Sequence, residues 1–146
     1  MANLQDLLGQ PRPAVVANVE QIVNTTISSQ KGLTGIALKG AVATAEKIDA
    51  QIVTKGINTM LPELIEALSP QWEAFQTSGE TDFGAYLSGR QDEVADSILA
   101  VADRNAEAIN VPALAKTYKT LRGKAAGMIK PQIPAIGNII QKHMAA

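Results

Sequence analysis

Residues 31–48 read KGLTGIALKGAVATAEKI, and the fold turns on whether this stretch is a phosphate loop or a packed helix. Gly35 and Gly40 have the G-x-x-x-x-G spacing of a nucleotide loop. That loop requires Lys and then Ser or Thr next, so that the ammonium reaches the outer phosphates and the hydroxyl holds magnesium. Here those residues are Ala41 and Val42. The motif also needs a preceding strand, whereas the residues before it have helical periodicity. Read instead as a helix from Thr34 to about Ile48, the stretch places Ile36, Leu38, Val42, Ala45 and Ile48 at apolar positions. It also gathers Ala37, Gly40, Ala41 and Ala45 into a smooth face that another helix can approach closely. Glycine costs a helix about 1 kcal/mol relative to alanine, so several in one helix imply such a contact. Gly123 and Gly127, four residues apart, suggest a second one.

The same period runs outward in both directions. Pro13 sits in the first turn of a helix with the stripe Val16, Val19, Val23 and Ile27. Asp49 caps a helix carrying Ile52, Val53, Ile57, Met60 and Leu61. Proline fits a first helical turn, where its missing donor has no partner to lose. Pro62 and Pro70 therefore divide LPELIEALSPQWEAF into two short helices, whose Leu61, Leu64, Ile65, Leu68, Trp72 and Phe75 are predicted to centre the core. QTSGETDFG (76–84) reads as a loop. Ser88 with Gln91 has capping-box spacing for a long helix to about Ile109. Asn110 or Val111 caps the next helix with Pro112 in its first turn. That helix ends at Lys130-Pro131, because a residue before proline avoids the helical region, and a last helix begins near Pro134. The expectation is an all-α fold: a compact single-domain bundle of about eight mostly short helices over residues 1–146.

Composition narrows the function classes. The chain has no cysteine and one histidine, His143, so disulfides, thiolate metal sites, a Ser-His-Asp triad and histidine metal clusters have almost no material. No metal and no cofactor are expected. His143 reads as a cation at the end of the last helix. Only five aromatic residues occur, Trp72, Phe75, Phe83, Tyr86 and Tyr118, which predicts an aliphatic core. The N-terminus lacks a basic region followed by an apolar run, and no window holds 18 uncharged apolar residues, so neither a secretory signal nor a membrane span is expected. The chain is read as cytoplasmic.

Two further spacings resemble chemistry. Asp92 and Asp96 in DEVAD share a helix face, as cation-chelating pairs do. A second acidic helix is missing, and acids in a first turn ordinarily oppose the helix dipole. Ser28 and Lys31 have the Ser-x-x-Lys spacing of some acyl enzymes without the companion motifs. Neither is taken as catalytic.

The charge distribution is more informative. Net charge is −1, yet residues 1–107 carry all fourteen acids against seven bases, a net of −7, and residues 108–146 carry six bases and no acid. Either a basic C-terminal unit packs on an acidic body, the favoured reading, or it faces an anionic partner. In LAKTYKTLRGKAAGMIK (114–130), Lys116, Lys119, Arg122 and Lys124 are the residues that would contact a polyanion or an acidic protein, with salt-sensitive affinity.

Taken in order, RPAVV, GLTGIALKG, LPELIEAL, FGAYLSGR, ADSILAVADRNAE, ALAKTYKTLRGKA and IPAIGNIIQKHM resemble an uncharacterised family of small all-helical bacterial proteins of actinobacterial type. The resemblance extends over nearly the whole chain and implies one bacterial domain with no catalytic residues to carry over. The functional expectation is a non-enzymatic, cytoplasmic helical protein acting through protein–protein interaction, with an unknown protein partner or by self-association. The alternatives are an apolar, lipid-like ligand held in a helical cavity near Leu61–Phe75, or a polyanion on the basic C-terminal region.

Overall fold

The computed structural model describes residues 3–106 and 112–145. Among them are eight α-helical segments: α1 (Arg12–Ser29), α2 (Gly32–Ile48), α3 (Ile52–Ser78), α4 (Phe83–Ser88), α5 (Gln91–Ala106), α6 (Pro112–Leu121), α7 (Ala125–Ile129) and α8 (Ile133–Ala145). Three 3-10 turns, Leu4–Leu8, Arg122–Lys124 and Lys130–Gln132, complete the helical structure. The all-α expectation holds. The expected caps at Asn110 or Val111 and the expected helix end near Ile109 lie outside the described residues.

The largest departure from the sequence reading is α3, one continuous helix of 27 residues with Pro62 and Pro70 inside it. An interior proline removes a donor from the helical ladder and leaves the carbonyl four residues back without its usual partner. For Pro62 that carbonyl belongs to Asn58. Arg12, at the start of α1, donates from Nη2 to the Asn58 carbonyl at 2.8 Å and from Nε to Asn58 Oδ1 at 2.7 Å. A side chain distant in sequence thus supplies the bond that proline cannot, and the helix continues. For Pro70 the carbonyl is that of Glu66, which is exposed and open to hydration. Replacing Arg12 by Met should lower stability by about 1–2 kcal/mol. In a Pro62→Ala background, where the backbone amide returns, the same change should cost measurably less. A double-mutant cycle in urea checks the coupling.

The core is one cluster. Leu61, Ile65, Leu68, Trp72 and Phe75 of α3 are buried, as the sequence reading predicts, while Leu64 is half-buried. They meet Val15 and Val16 of α1, Phe83 and Leu87 of α4, Val94 and Ala95 of α5, and Ile133 and Ile140 of α8. The core is not purely aliphatic. Four of the five aromatic residues are gathered there: Trp72 meets Phe83 edge-on with centroids 5.0 Å apart, and Phe75 lies 5.0 Å from Phe83 and 5.6 Å from Tyr86. The N-terminal turn is a part the sequence reading missed. Asn3 Oδ1 accepts the Gln5 amide at 3.0 Å, the Asp6 carboxylate accepts the Asn3 amide at 3.4 Å, and this reciprocal cap sets Leu4 and Leu7 into the core.

Close helix packing is present, but not at Gly40, Gly123 and Gly127, where the sequence reading put it. Gly123, Gly127 and Gly40 have open space where a Cβ would sit. The tight crossing is α4 on α8: a Cβ on Gly137 would lie 2.6 Å from the Gly84 Cα, and one on Gly84 would lie 2.7 Å from the Pro134 carbonyl oxygen. Gln141 of α8 fastens the same joint, accepting the Phe83 amide at 2.9 Å and donating to the Thr81 carbonyl at 2.9 Å. Ser88 ends α4 rather than capping α5, and Asp82 is the residue that caps α4, through the Ala85 amide.

Candidate contact surface

The glycines of the opening stretch lie in a helix, not a loop. Gly32 has φ +65° and turns the chain between α1 and α2. Gly35 lies so close to the end of α1 that a Cβ would stand 2.4 Å from the Gln30 carbonyl oxygen. Their places are explained by a turn and a close approach, and Gly40 lies inside the helix. Of the expected small-residue face, Ala41 and Ala45 are buried against the body, while Ala37 and Gly40 point outward.

That outward side is where α2 departs from an ordinary surface helix. Leu33, Ile36 and Ile48 are 84, 68 and 70% exposed. At 100° per residue they fall on one side of the helix with Ala37, Gly40, Ala43 and Thr44, all exposed. The helix is therefore apolar on both sides, which is the pattern of a helix covered on both. Its buried alanines also lie outside the central cluster, and α6 contributes no residue to that cluster. The two helices pack on each other as an outer layer on the body.

The four basic residues singled out in the sequence belong to this layer, in three different states. Lys116 and Lys119 are exposed on α6. Lys124 is exposed, with Nζ 3.4 Å from Thr34 Oγ1 at the start of α2. Arg122 is not free: its Nε and Nη2 donate to the two carboxylate oxygens of Asp103 on α5 at 2.7 and 2.9 Å. Tyr118 donates its hydroxyl to the same carboxylate. Lys130 pairs with Asp92 at 2.6 Å. Of the six bases after residue 107, Arg122 and Lys130 bind the acidic body, and Lys116, Lys119, Lys124 and Lys142 are exposed.

The Arg122–Asp103–Tyr118 cluster fastens α6 to α5. The Arg122 guanidinium first, and the Tyr118 hydroxyl second, hold the Asp103 carboxyl below its ordinary range. Its contribution to stability is present above the ordinary carboxyl value and lost as pH falls through the lowered one. Burial first, and the hydrogen bond to the Asp103 carboxylate second, push Tyr118 up to about 12. That contribution is complete below the ordinary tyrosine value of about 10 and is lost as pH rises through the raised value. A phenolate absorbance titration should therefore show Tyr118 ionising near pH 12. The Asp103→Asn variant should bring it part of the way back toward 10, since burial remains.

The other candidates carry no assembled chemistry. Asp92, the first carboxylate of DEVAD, is occupied by Lys130. Ser28 lies in the last turn of α1 and Lys31 precedes α2, both exposed. His143 does not stand free at the end of α8: Nε2 lies 3.0 Å from Asn18 Nδ2, whose amide also donates to the Ala14 carbonyl, so this nitrogen accepts. Among the described residues no cluster of three or more metal-ligating side chains occurs, and no helix is long and apolar enough to cross a membrane. A groove of about 280 Å³ runs beside Trp72, edged by Asn3, Ser69, Glu73, Gln76 and Thr77. At the end of the Leu61–Phe75 stretch, Trp72 and Phe75 pack against Phe83.

Residues 4–144 match the model of a protein family described as a family of unknown function (DUF6918). No curated protein and no solved structure matches the chain.

Proposed function

This chain belongs to the DUF6918 family across residues 4–144, and we propose that it is a non-enzymatic docking protein of the bacterial cytoplasm. It works by surface contact through the outer side of α2. One observation carries the reading: Leu33, Ile36 and Ile48 stand 84, 68 and 70% exposed on one side of one helix, although the chain otherwise buries its large aliphatic residues well. Contiguous exposed apolar surface marks a contact site. A protein partner or a second copy, as the composition suggests, and an extended surface are all served by such a helix.

Hydroxyl-radical footprinting tests the reading without naming the partner. In the purified chain at low concentration Leu33, Ile36 and Ile48 should be oxidised readily. In native extract they should be protected several-fold, while exposed Lys142 and Pro131 peptides change little. Equal oxidation in both settings would remove the reading.

A further inference from the structure

We propose that the outer layer formed by α2 and α6 docks on an anionic lipid surface, with Leu33, Ile36 and Ile48 entering the headgroup boundary and the surrounding lysines facing acidic headgroups. This rests on the contact reading above and names its partner. Three observations select a lipid surface.

The first is charge. Residues 31–48 and 112–124 carry Lys31, Lys39, Lys47, Lys116, Lys119, Arg122 and Lys124 against one acid, Glu46, a net of +6. The chain as a whole is −1, so the remaining residues carry −7. The six lysines are all exposed, and Arg122 is neutralised by Asp103. Of the acids beside the layer, Asp103 is bound to Arg122 and Asp49, which follows Ile48, is paired with Lys55, so the exposed charges of the layer itself are predominantly positive. Such a layer orients a protein at a negatively charged plane, with the acidic body turned away.

The second is shape. At 68–84% exposure the three aliphatic side chains protrude rather than line a recess. A partner helix is held in a groove that buries its anchors from both sides, whereas protruding aliphatics beside lysines suit a deformable, flat interface.

The third is the mismatch a second copy would meet. A two-fold pairing through α2 places the same patch on both sides, and Lys39 and Lys47, both exposed, lie on or beside the stripe. Two patches of like net positive charge would then meet, with Glu46 the only acid on the helix.

Three aliphatic side chains without an aromatic anchor partition weakly alone, as a single short acyl chain does, so binding requires the second, electrostatic signal. The lysines supply it, each strengthening binding to an anionic surface about fivefold.

The test is vesicle flotation of the full chain with phosphatidylcholine vesicles, with and without phosphatidylglycerol, at low and high salt. The chain should float with the mixed vesicles at low salt, and not with phosphatidylcholine alone or at high salt. The double variant Leu33→Ser with Ile36→Ser, both fully compatible with the fold because both side chains are exposed, should lose binding at least tenfold. Lys116→Gln should lose about fivefold, and Lys116→Gln, Lys119→Gln and Lys124→Gln together about a hundredfold. Lys142→Gln, on α8, should bind as the parent does.

No flotation, equal flotation on neutral vesicles, or indifference to Leu33 and Ile36 would each overturn the proposal. Heparin retention that ignores the aliphatic variants, with no flotation, would replace the lipid with a free polyanion. A dimer by native mass that Leu33→Ser with Ile36→Ser dissociates, again with no flotation, would replace it with a second copy and leave the contact reading standing.

Discussion

Gly137→Val should lower stability by about 3 kcal/mol and the melting temperature by roughly 10 °C. The site lies where α8 crosses α4, and a Cβ there would meet the Gly84 Cα at 2.6 Å and its amide nitrogen at 2.8 Å. Both are backbone atoms, so no side-chain rotation relieves the contact. The two helices must separate, and the Gln141 bonds to Phe83 and Thr81 stretch with them. Gly137→Ala should follow the same direction more weakly, because alanine recovers about 1 kcal/mol of helix propensity while forcing the same backbone apart. Gly40→Ala is the control: the same chemical change, also inside a helix, with open space at the Cβ. It should raise stability by up to about 1 kcal/mol. Opposite signs for one substitution at two helical glycines, read from denaturant midpoints, would establish the crossing. Equal and small effects would show that α4 and α8 do not approach this closely.

Phe83→Ala should be more damaging still, by about 3–5 kcal/mol. Phe83 has no exposed surface, packs edge-on against Trp72 and touches Phe75 and Tyr86. Removing its ring opens a cavity among three other rings, which cannot all turn to fill it. For a chain of this size that loss is a large part of the whole margin of stability. The near-ultraviolet circular dichroism of Trp72 should weaken at temperatures where the far-ultraviolet signal persists. Phe83→Leu should cost less than half as much. A Phe83→Ala variant as stable as its parent would place the centre of the core elsewhere.

The sequence makes the helical class and most of α3's buried stripe legible, because Leu61, Ile65, Leu68, Trp72 and Phe75 keep a helical period across the two prolines. It does not reveal that the helix passes through them, since the compensating donor, Arg12, is 46 residues away from Asn58. Glycine packing was misplaced for a related reason. Gly123-x-x-x-Gly127 has the familiar spacing, yet both residues face open space. Gly137 has no such partner in sequence. Its signal is its place on the buried stripe of α8, between Ile133 and Ile140. Leu4 and Leu7 also carry a signal, the Asn3-x-x-Asp6 spacing of the reciprocal cap, in which each leucine follows one of the two capping residues.

The contact surface was half legible. Lys116, Lys119, Arg122 and Lys124 stand out by charge alone, but only the fold shows that Arg122 is spoken for by Asp103 and that Lys124 lies against Thr34 of α2. Ile36 and Ile48 take apolar positions in the helical period, which ordinarily go with burial. On α2 the apolar positions run right round the helix, and periodicity then has no preferred side to report.

The joint between α4 and α8 bears on how the chain is made as well as on how it holds together. Ile133 and Ile140 complete a cluster whose other members lie up to 136 residues earlier, at Leu4, and the opening 3-10 turn rests partly on α8. While the polypeptide is still leaving the ribosome, α3 and its rings lack the cover that Ile133 and Ile140 of α8 supply. Consolidation waits for translation to pass residue 140, and during that interval the nascent chain offers its apolar interior to any chaperone within reach.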